Sequence, residues 1–268
     1  MLSTKRRLLF CSGFLFVVVL ILAVDAIAVG EKDLPSQAEL DAITARGRLL
    51  AEYDTASWYA TDSVQALKPP AGSVGRYIAK KMENGWVVAF GRMNERGDGF
   101  LVVYEATQGA TPHDFTVQTY DPPREETGFY LNAEKAMETV LKDFQREQRT
   151  YNMSVIPADG GQMYVYIYPG STVSGVYLLG GDARYLISAD GATVVEKRQL
   201  HKSVLEFSGG EKGKMPVSGM HSHVLSDIPE DTDVMYVLTR KPAIPEYVIT
   251  ASKVIWVIGT DGSINRGK

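Results

Sequence analysis

The sequence predicts an α+β body, with amphipathic helices and a β-meander in its first half and mainly antiparallel sheet in its second. Three observations carry this. Apolar residues recur at helical intervals between 40 and 67 and again between 133 and 144. Elsewhere the pattern breaks into short runs rich in Val, Ile, Tyr and Phe, the composition of strands. Clusters of Gly, Asn and Asp separate those runs, as turns do.

Taken in order, Pro35-Ser36 opens the first helix. Ser36 and Glu39 have the spacing of a capping box, in which each satisfies an orphan amide of the first turn. Leu40, Ile43, Leu50, Tyr53, Ala60, Val64 and Leu67 then mark its buried face, until Pro69-Pro70 stops it. Gly47 weakens the middle, so the segment can also be read as two helices. Tyr77-Ile78, Trp86 to Phe90 and Phe100 to Tyr104 form the meander, with turns at Glu83-Asn84-Gly85 and at Asn94 to Gly99. Phe115 to Tyr120 adds a strand that ends before Pro122-Pro123. Asn132 is expected to cap a second helix with Ala133, Met137, Val140, Leu141 and Phe144 on one face.

From Tyr151 onward strands dominate. They are expected at Met163–Tyr168, Val176–Leu179, Arg184–Ser188 and Thr193–Leu200, the last two joined by the hairpin signal Asp190-Gly191. A flexible loop, Ser208 to Lys214, follows; its glycine spacing does not fit a phosphate loop. Further strands are expected at Val217–Val224, Val234–Thr239, Tyr247–Thr250 and Lys253–Ile258, with a turn at Asp261-Gly262. The body thus divides into an α+β region, 29–150, and a mainly β region, 151–268, in one domain or two.

Residues 1–28 read as an address. Lys5, Arg6 and Arg7 precede an apolar run from Leu8 to Val24, and Ala26-Ile27-Ala28 has the small-x-small form a signal peptidase accepts. The segment is a cleaved signal peptide or an uncleaved N-terminal anchor; either places the body outside the cytoplasm, periplasmic or extracellular. Membrane contact is then confined to residues 8–24. Cys11, the one cysteine, lies in this segment, so the body has no disulfide, thiol nucleophile or thiolate ligand. The chain holds 28 basic and 32 acidic side chains, a net charge of −4. Residues 1–28 contain three of the former and one of the latter, leaving the body at −6. That balance argues against a nucleic-acid partner, and no other partner is indicated.

One constellation carries chemistry: Gly219-Met220-His221-Ser222-His223, followed by Asp227, Glu230, Asp231 and Asp233. On a strand, residues two apart share a face, so both imidazoles can meet one cation. Two histidines with a carboxylate are a common zinc or iron set that leaves a position for water. The expected ligands are His221, His223 and Asp233, with Asp227 as the second choice of acid and a divalent metal such as zinc as the candidate cofactor. His201 and His113 read as ordinary residues. Tyr164, Tyr166 and Tyr168 could line a binding face or pack on a core. No Gly-x-Ser-x-Gly elbow supports serine chemistry.

The segment Met220 to Val257 resembles the JAMM (MPN) metalloprotease signature. That family presents two zinc ligands as His-x-His-Pro, followed by Ser-x-x-Asp with the aspartate as third ligand. His221, Ser222, His223 and Asp233 match, as do the apolar runs around Val248 and Trp256. Val224 stands at the proline position, Glu230 at the serine, and Thr172 where the upstream catalytic glutamate would fall. A cupin-like site, which also uses His-x-His, competes with this and needs another distant histidine, for which His113 and His201 are the candidates. Two functions follow as expectations: an exported, noncatalytic structural or binding protein, or a JAMM-like metal-dependent hydrolase built on His221, His223 and Asp233.

Overall fold

A computed structural model describes residues 34–208 and 216–267. The address segment 1–28 and nearly all of the Ser208–Lys214 loop lie outside the described residues. Among the described residues, no helix is long and apolar enough to cross a membrane.

The fold is α+β. Helix α1 (Gln37–Gln65) begins in a formed capping box: Ser36 N–H donates to Glu39 at 2.9 Å and Glu39 N–H to Ser36 Oγ at 3.3 Å. Strands β1 (Arg76–Met82), β2 (Gly85–Met93), β3 (Phe100–Gln108) and β4 (Phe115–Glu126) make an antiparallel meander in that order. Strand β4 runs on through Pro122 and Pro123, past the expected end at Tyr120. It can do so because it is an edge strand whose pairing with β3 slips between Val102 and Tyr104, where prolines cost no ladder bond. Helix α2 (Phe129–Asp143) starts three residues before Asn132, with Gly128 as its N-cap. Buried Tyr130 and Leu131 extend its apolar face and draw the start upstream.

In the second half, β5 (Tyr151–Pro157), β6 (Met163–Pro169), β8 (Ala183–Ile187) and β9 (Val194–Gln199) form one antiparallel sheet. Strand β7 (Val176–Gly180) pairs with β10 (Val204–Ser208) in a two-stranded ribbon. A third sheet has the order β11 (Gly219–Ser222), β12 (Glu246–Ile249), β13 (Ile255–Ile258) and β14 (Ile264–Arg266). In it β11 and β12 are parallel. Between β11 and β12 lies helix α3 (Asp231–Thr239), where the sequence predicts a strand at Val234–Thr239. The β-branched composition misleads because the helix is covered all round: every residue from Asp231 to Val237 is buried, so there is no amphipathic period to read. The Asp233 carboxylate, accepting the Glu230 N–H at 2.7 Å, supplies the helix start.

Three apolar clusters hold these elements. The C-terminal half of α1 packs on Val88, Phe90, Tyr104 and Ala106 of the meander. Helix α2 packs with Ile78, Phe100 and Val102 on one side and with Val165, Ile167 and Tyr185 of the β5–β6–β8–β9 sheet on the other. The N-terminal half of α1, through Leu40 and Ile43, joins α3 and the third sheet through Val234, Val237, Trp256 and Ile258. Helix α1, about 44 Å long at the standard rise, therefore serves two cores and stays one helix. Its Gly47 is a contact point: a Cβ there would stand 2.5 Å from Val234 Cβ and 2.7 Å from the Asp231 carbonyl.

Candidate metal centre

Strand β11 alternates as expected. Met220, Ser222 and Val224 face outward, while His221 and His223 face inward and are buried. His223 lies one residue past the strand, but its N–H still donates to the Ile249 carbonyl at 2.8 Å, so the extended geometry continues. The chain then turns and enters α3, whose third residue, Asp233, is fully buried. A carboxylate belongs in that first turn, where unpaired amides and the helix dipole favour negative charge. From the end of β9 comes His201, which the sequence reading treats as ordinary.

These four side chains converge. His201 Nε2 and His223 Nε2 are 2.9 Å apart, and His221 Nε2 is 3.1 Å from His223 Nε2. Asp233 Oδ1 lies 3.0 Å from His201 Nε2 and 3.1 Å from His221 Nε2, and Oδ2 lies 3.1 Å from His223 Nε2. One potential ligand atom from each residue falls within 4.8 Å of all the others, the grouping a single metal ion requires. Tetrahedral bonds of 2.0–2.1 Å place ligand atoms about 3.3 Å apart, so an ion would need the cluster to open by only a few tenths of an ångström.

The outer faces of the imidazoles are held as well. His201 Nδ1 is 2.7 Å from Asp182, His221 Nδ1 is 3.0 Å from Glu246, and His223 Nδ1 is 2.9 Å from the Ile228 carbonyl, with Ser226 Oγ at 3.1 Å. A carbonyl or carboxylate can only accept, so each Nδ1 is the donor. Each neutral ring then carries a bare lone pair on Nε2, aimed at the centre. Three lone pairs and a carboxylate oxygen about 3 Å apart repel one another unless positive charge sits among them. Asp233 Oδ1 receives no hydrogen bond in this arrangement, whereas Oδ2 takes the Glu230 N–H.

Charge accounting over the surrounding shell gives the same sign. Glu246 pairs with Arg240 at 3.0 Å, Glu230 with Arg198 at 2.6 Å, and Asp231 with both Arg46 and Arg184 at 2.8 Å. Among the described residues, Asp182 and Asp233 have no lysine or arginine partner, and both are almost wholly buried. Two buried carboxylates without an arginine or lysine of their own are an expensive arrangement; with the second arginine on Asp231 counted, five acids face four bases and the shell still favours positive charge at the centre. Burial alone would make protonation of the imidazoles harder. Asp182 and Asp233 outweigh that effect and hold His201 well above its ordinary pKa. Asp233 and Glu246 likewise raise His221 to about 9. Burial also opposes ionisation of Asp233, yet His201 and His223 keep it well below the usual carboxylate range. The pocket thus favours positive charge among the imidazoles.

His221, His223 and Asp233 thus stand together, joined by His201. Asp227 does not reach the cluster: it is exposed and accepts from Ser252 N–H and Oγ at 3.2 and 2.6 Å. His113 stays exposed and lies against Tyr59 with ring centroids 4.3 Å apart. Tyr166 and Tyr168 are core residues, Tyr166 donating to Asp231 at 2.7 Å. The one sequence signal for His201 is scarcity, since a third imidazole could come only from there or from His113. Asp182 and Glu246 leave no local signal at all, because their partners are 19 and 25 residues away.

Compared with protein-family models, with curated proteins and with solved structures, the chain matches none of them.

Proposed function

We propose that this is an exported, noncatalytic protein that holds one divalent cation of the zinc class on His201, His221, His223 and Asp233. The cation serves to fasten the end of β9, β11 and α3 together. The observation that carries this reading is the convergence of three imidazole Nε2 atoms and one carboxylate, each ring fixed by an acceptor on its far side. Three nitrogens and one oxygen in a compact set suit zinc. Calcium and magnesium require more oxygen ligands, and copper(I) prefers sulfur. Ligands without thiolate also suit a protein read as exported, since imidazole and carboxylate are indifferent to an oxidising compartment.

Four protein ligands with side-chain exposures of 7 % or less describe a closed centre. Catalytic zinc keeps a position for water or substrate. In the JAMM-like alternative that water would occupy the vertex taken here by His201, and the general base would fall at Thr172, which cannot serve as one. Zinc-loaded protein is therefore expected to leave peptide substrates uncleaved; zinc-dependent turnover that disappears in His221→Ala would favour the hydrolase reading instead.

The decisive experiment is metal analysis of the purified protein, combined with melting in the presence of chelator or zinc. One zinc per chain is expected, with stabilisation that grows with free zinc and reaches about 2.7 kcal/mol at a hundredfold excess over Kd. The double variant His221→Ala, His223→Ala should melt at the same temperature with and without zinc. Equal zinc-induced shifts in parent and double variant would overturn the assignment.

A further inference from the structure

The two carboxylates behind the histidines are not equivalent, and glycines make room for both. Behind His221, a Cβ on Gly219 would stand 1.9 Å from Glu246 Oε2 and 2.9 Å from Arg240 Nη1, so glycine there admits the Glu246–Arg240 pair. Behind His201, the turn from β7 to β8 is Gly180-Gly181-Asp182. Both glycines have positive φ, +84° and +64°. A Cβ on Gly180 would meet the Ser203 carbonyl at 2.3 Å, and one on Gly181 would meet Val204 Cγ2 at 2.3 Å. The turn therefore lies flat against residues 201–204, which any side chain would prevent.

This close approach lets Asp182 grip two successive residues. Its backbone carbonyl accepts the Leu200 N–H at 3.1 Å, and its side chain accepts from His201 Nδ1 at 2.7 Å. The difference between the two carboxylates is one of charge. Glu246 shares its negative charge with Arg240. Asp182 has no lysine or arginine within ion-pair distance among the described residues, is 1 % exposed, and leaves Oδ2 without a hydrogen bond. Its full negative charge acts through His201, and an anionic acceptor on a metal-bound imidazole makes that ring a stronger donor.

Resting on the metal-binding reading above, we propose that Asp182, presented by the Gly180-Gly181 turn, is the positioning residue that sets the metal affinity of this centre. Glu246 is the weaker counterpart, its charge already balanced by Arg240. The two carboxylates should separate into a metal-tuning role and a structural one.

The test measures zinc affinity by competition with a chromophoric chelator, the visible spectrum of the cobalt(II) form, and the melting temperature of the metal-free protein. Asp182→Asn keeps an acceptor for His201 Nδ1 and removes only charge. It should bind zinc 10- to 100-fold more weakly than the parent and shift the cobalt bands, while its metal-free melting temperature falls less than that of Glu246→Gln, because His201 Nδ1 keeps its acceptor and only the pairing with a protonated ring is lost. Glu246→Gln should show the reverse balance: it lowers the metal-free melting temperature more, because buried Arg240 loses its partner, and changes zinc affinity less than tenfold. If Asp182→Asn does not fold, Asp182→Ser, also neutral, carries the same expectation. Parent-like zinc affinity and cobalt bands in the neutral variant would overturn the proposal and leave the metal centre standing. A parent chain that takes up neither zinc nor cobalt would overturn both.

Discussion

Asp231 and Asp233 sit two residues apart in the first turn of α3, both fully buried, and their surroundings differ in kind. Asp231 faces permanent cations. Arg46 reaches both of its oxygens at 3.0 Å, Arg184 joins at 2.8 Å and the Tyr166 hydroxyl donates at 2.7 Å. Asp233 faces three imidazoles, whose charge depends on what they bind. The first is a fixed strut tying α3 to α1, β6 and β8 under any condition. The second is a conditional strut, complete only when protons or a metal bring positive charge. On the metal-binding proposal, one helical turn thus carries a constitutive fastening beside one that depends on protons or metal.

The sharpest way to break this comparison is to neutralise each acid in turn. Asp231→Asn leaves two partly buried guanidinium groups facing each other without their shared anion, a loss expected to cost about 3 kcal/mol, the low end for a broken buried pair because Arg46 keeps some exposure. The cost should be the same with zinc or with chelator. Asp233→Asn removes a proposed ligand, so it should abolish zinc-induced stabilisation; in chelator it should cost less than Asp231→Asn, because there only protons on the imidazoles offset the buried Asp233 charge. Denaturant melts of both variants in zinc and in chelator decide the matter. If Asp233→Asn loses as much as Asp231→Asn in chelator, the two acids are alike and the distinction fails.

A smaller effect bears on both acids together. Gly47 of α1 touches α3 at the residue after Asp233. In an exposed helix, Gly→Ala gains up to about 1 kcal/mol. Here the added methyl would stand 2.5 Å from Val234 Cβ and 2.7 Å from the Asp231 carbonyl, and overpacking of this kind costs about 1–3 kcal/mol. Gly47→Ala should therefore lower the melting temperature by a few degrees in zinc and in chelator alike. A rise would mean that the α1–α3 contact is looser than these distances.

The same contrast explains what could be read from the sequence. Where a feature is local, the pattern reveals it: the Ser36–Glu39 cap, the meander of β1 to β3, and the shared inward face of His221 and His223 each depend on residues within a few positions. Asp233 is ten residues from His223 and could still be picked out as an acid at workable separation. His201 could not, because it meets His223 only when the β5–β6–β8–β9 sheet docks on the third sheet. The identity of α3 was hidden for a related reason. Its strand-like Val234, Tyr236 and Val237 are buried on every side, so tertiary packing and a cap at Glu230, not amphipathic spacing, decide its conformation.

The smallest effect concerns a third acid, half-buried Asp54 of α1, which has neither arginine nor imidazole beside it. The Tyr168 hydroxyl donates to it at 3.3 Å, and Tyr77 stands close enough to feel its charge. Burial pushes the Asp54 carboxyl up to about 6, the Tyr168 bond offsetting part of the shift, while burial keeps both tyrosines neutral. Because the folded-state value lies above the unfolded one, the folded protein holds this proton more tightly. Below about pH 4 the group is protonated in both states and costs nothing. As pH rises from 4 to 6 the unfolded chain ionises first, so stability falls, and above 6 the full cost is present. Half-buried rather than sealed, Asp54 should cost around 1 kcal/mol at neutral pH. Asp54→Asn keeps an acceptor for Tyr168 and removes the charge. Its melting temperature should equal the parent's at pH 4 and exceed it by a few degrees at pH 7, both measured in chelator. A gain that is the same at both pH values would show that the substitution acts through packing. The comparison would then rest on the two buried acids managed by partners, and Asp54 would no longer stand beside them as an acid managed by its own proton.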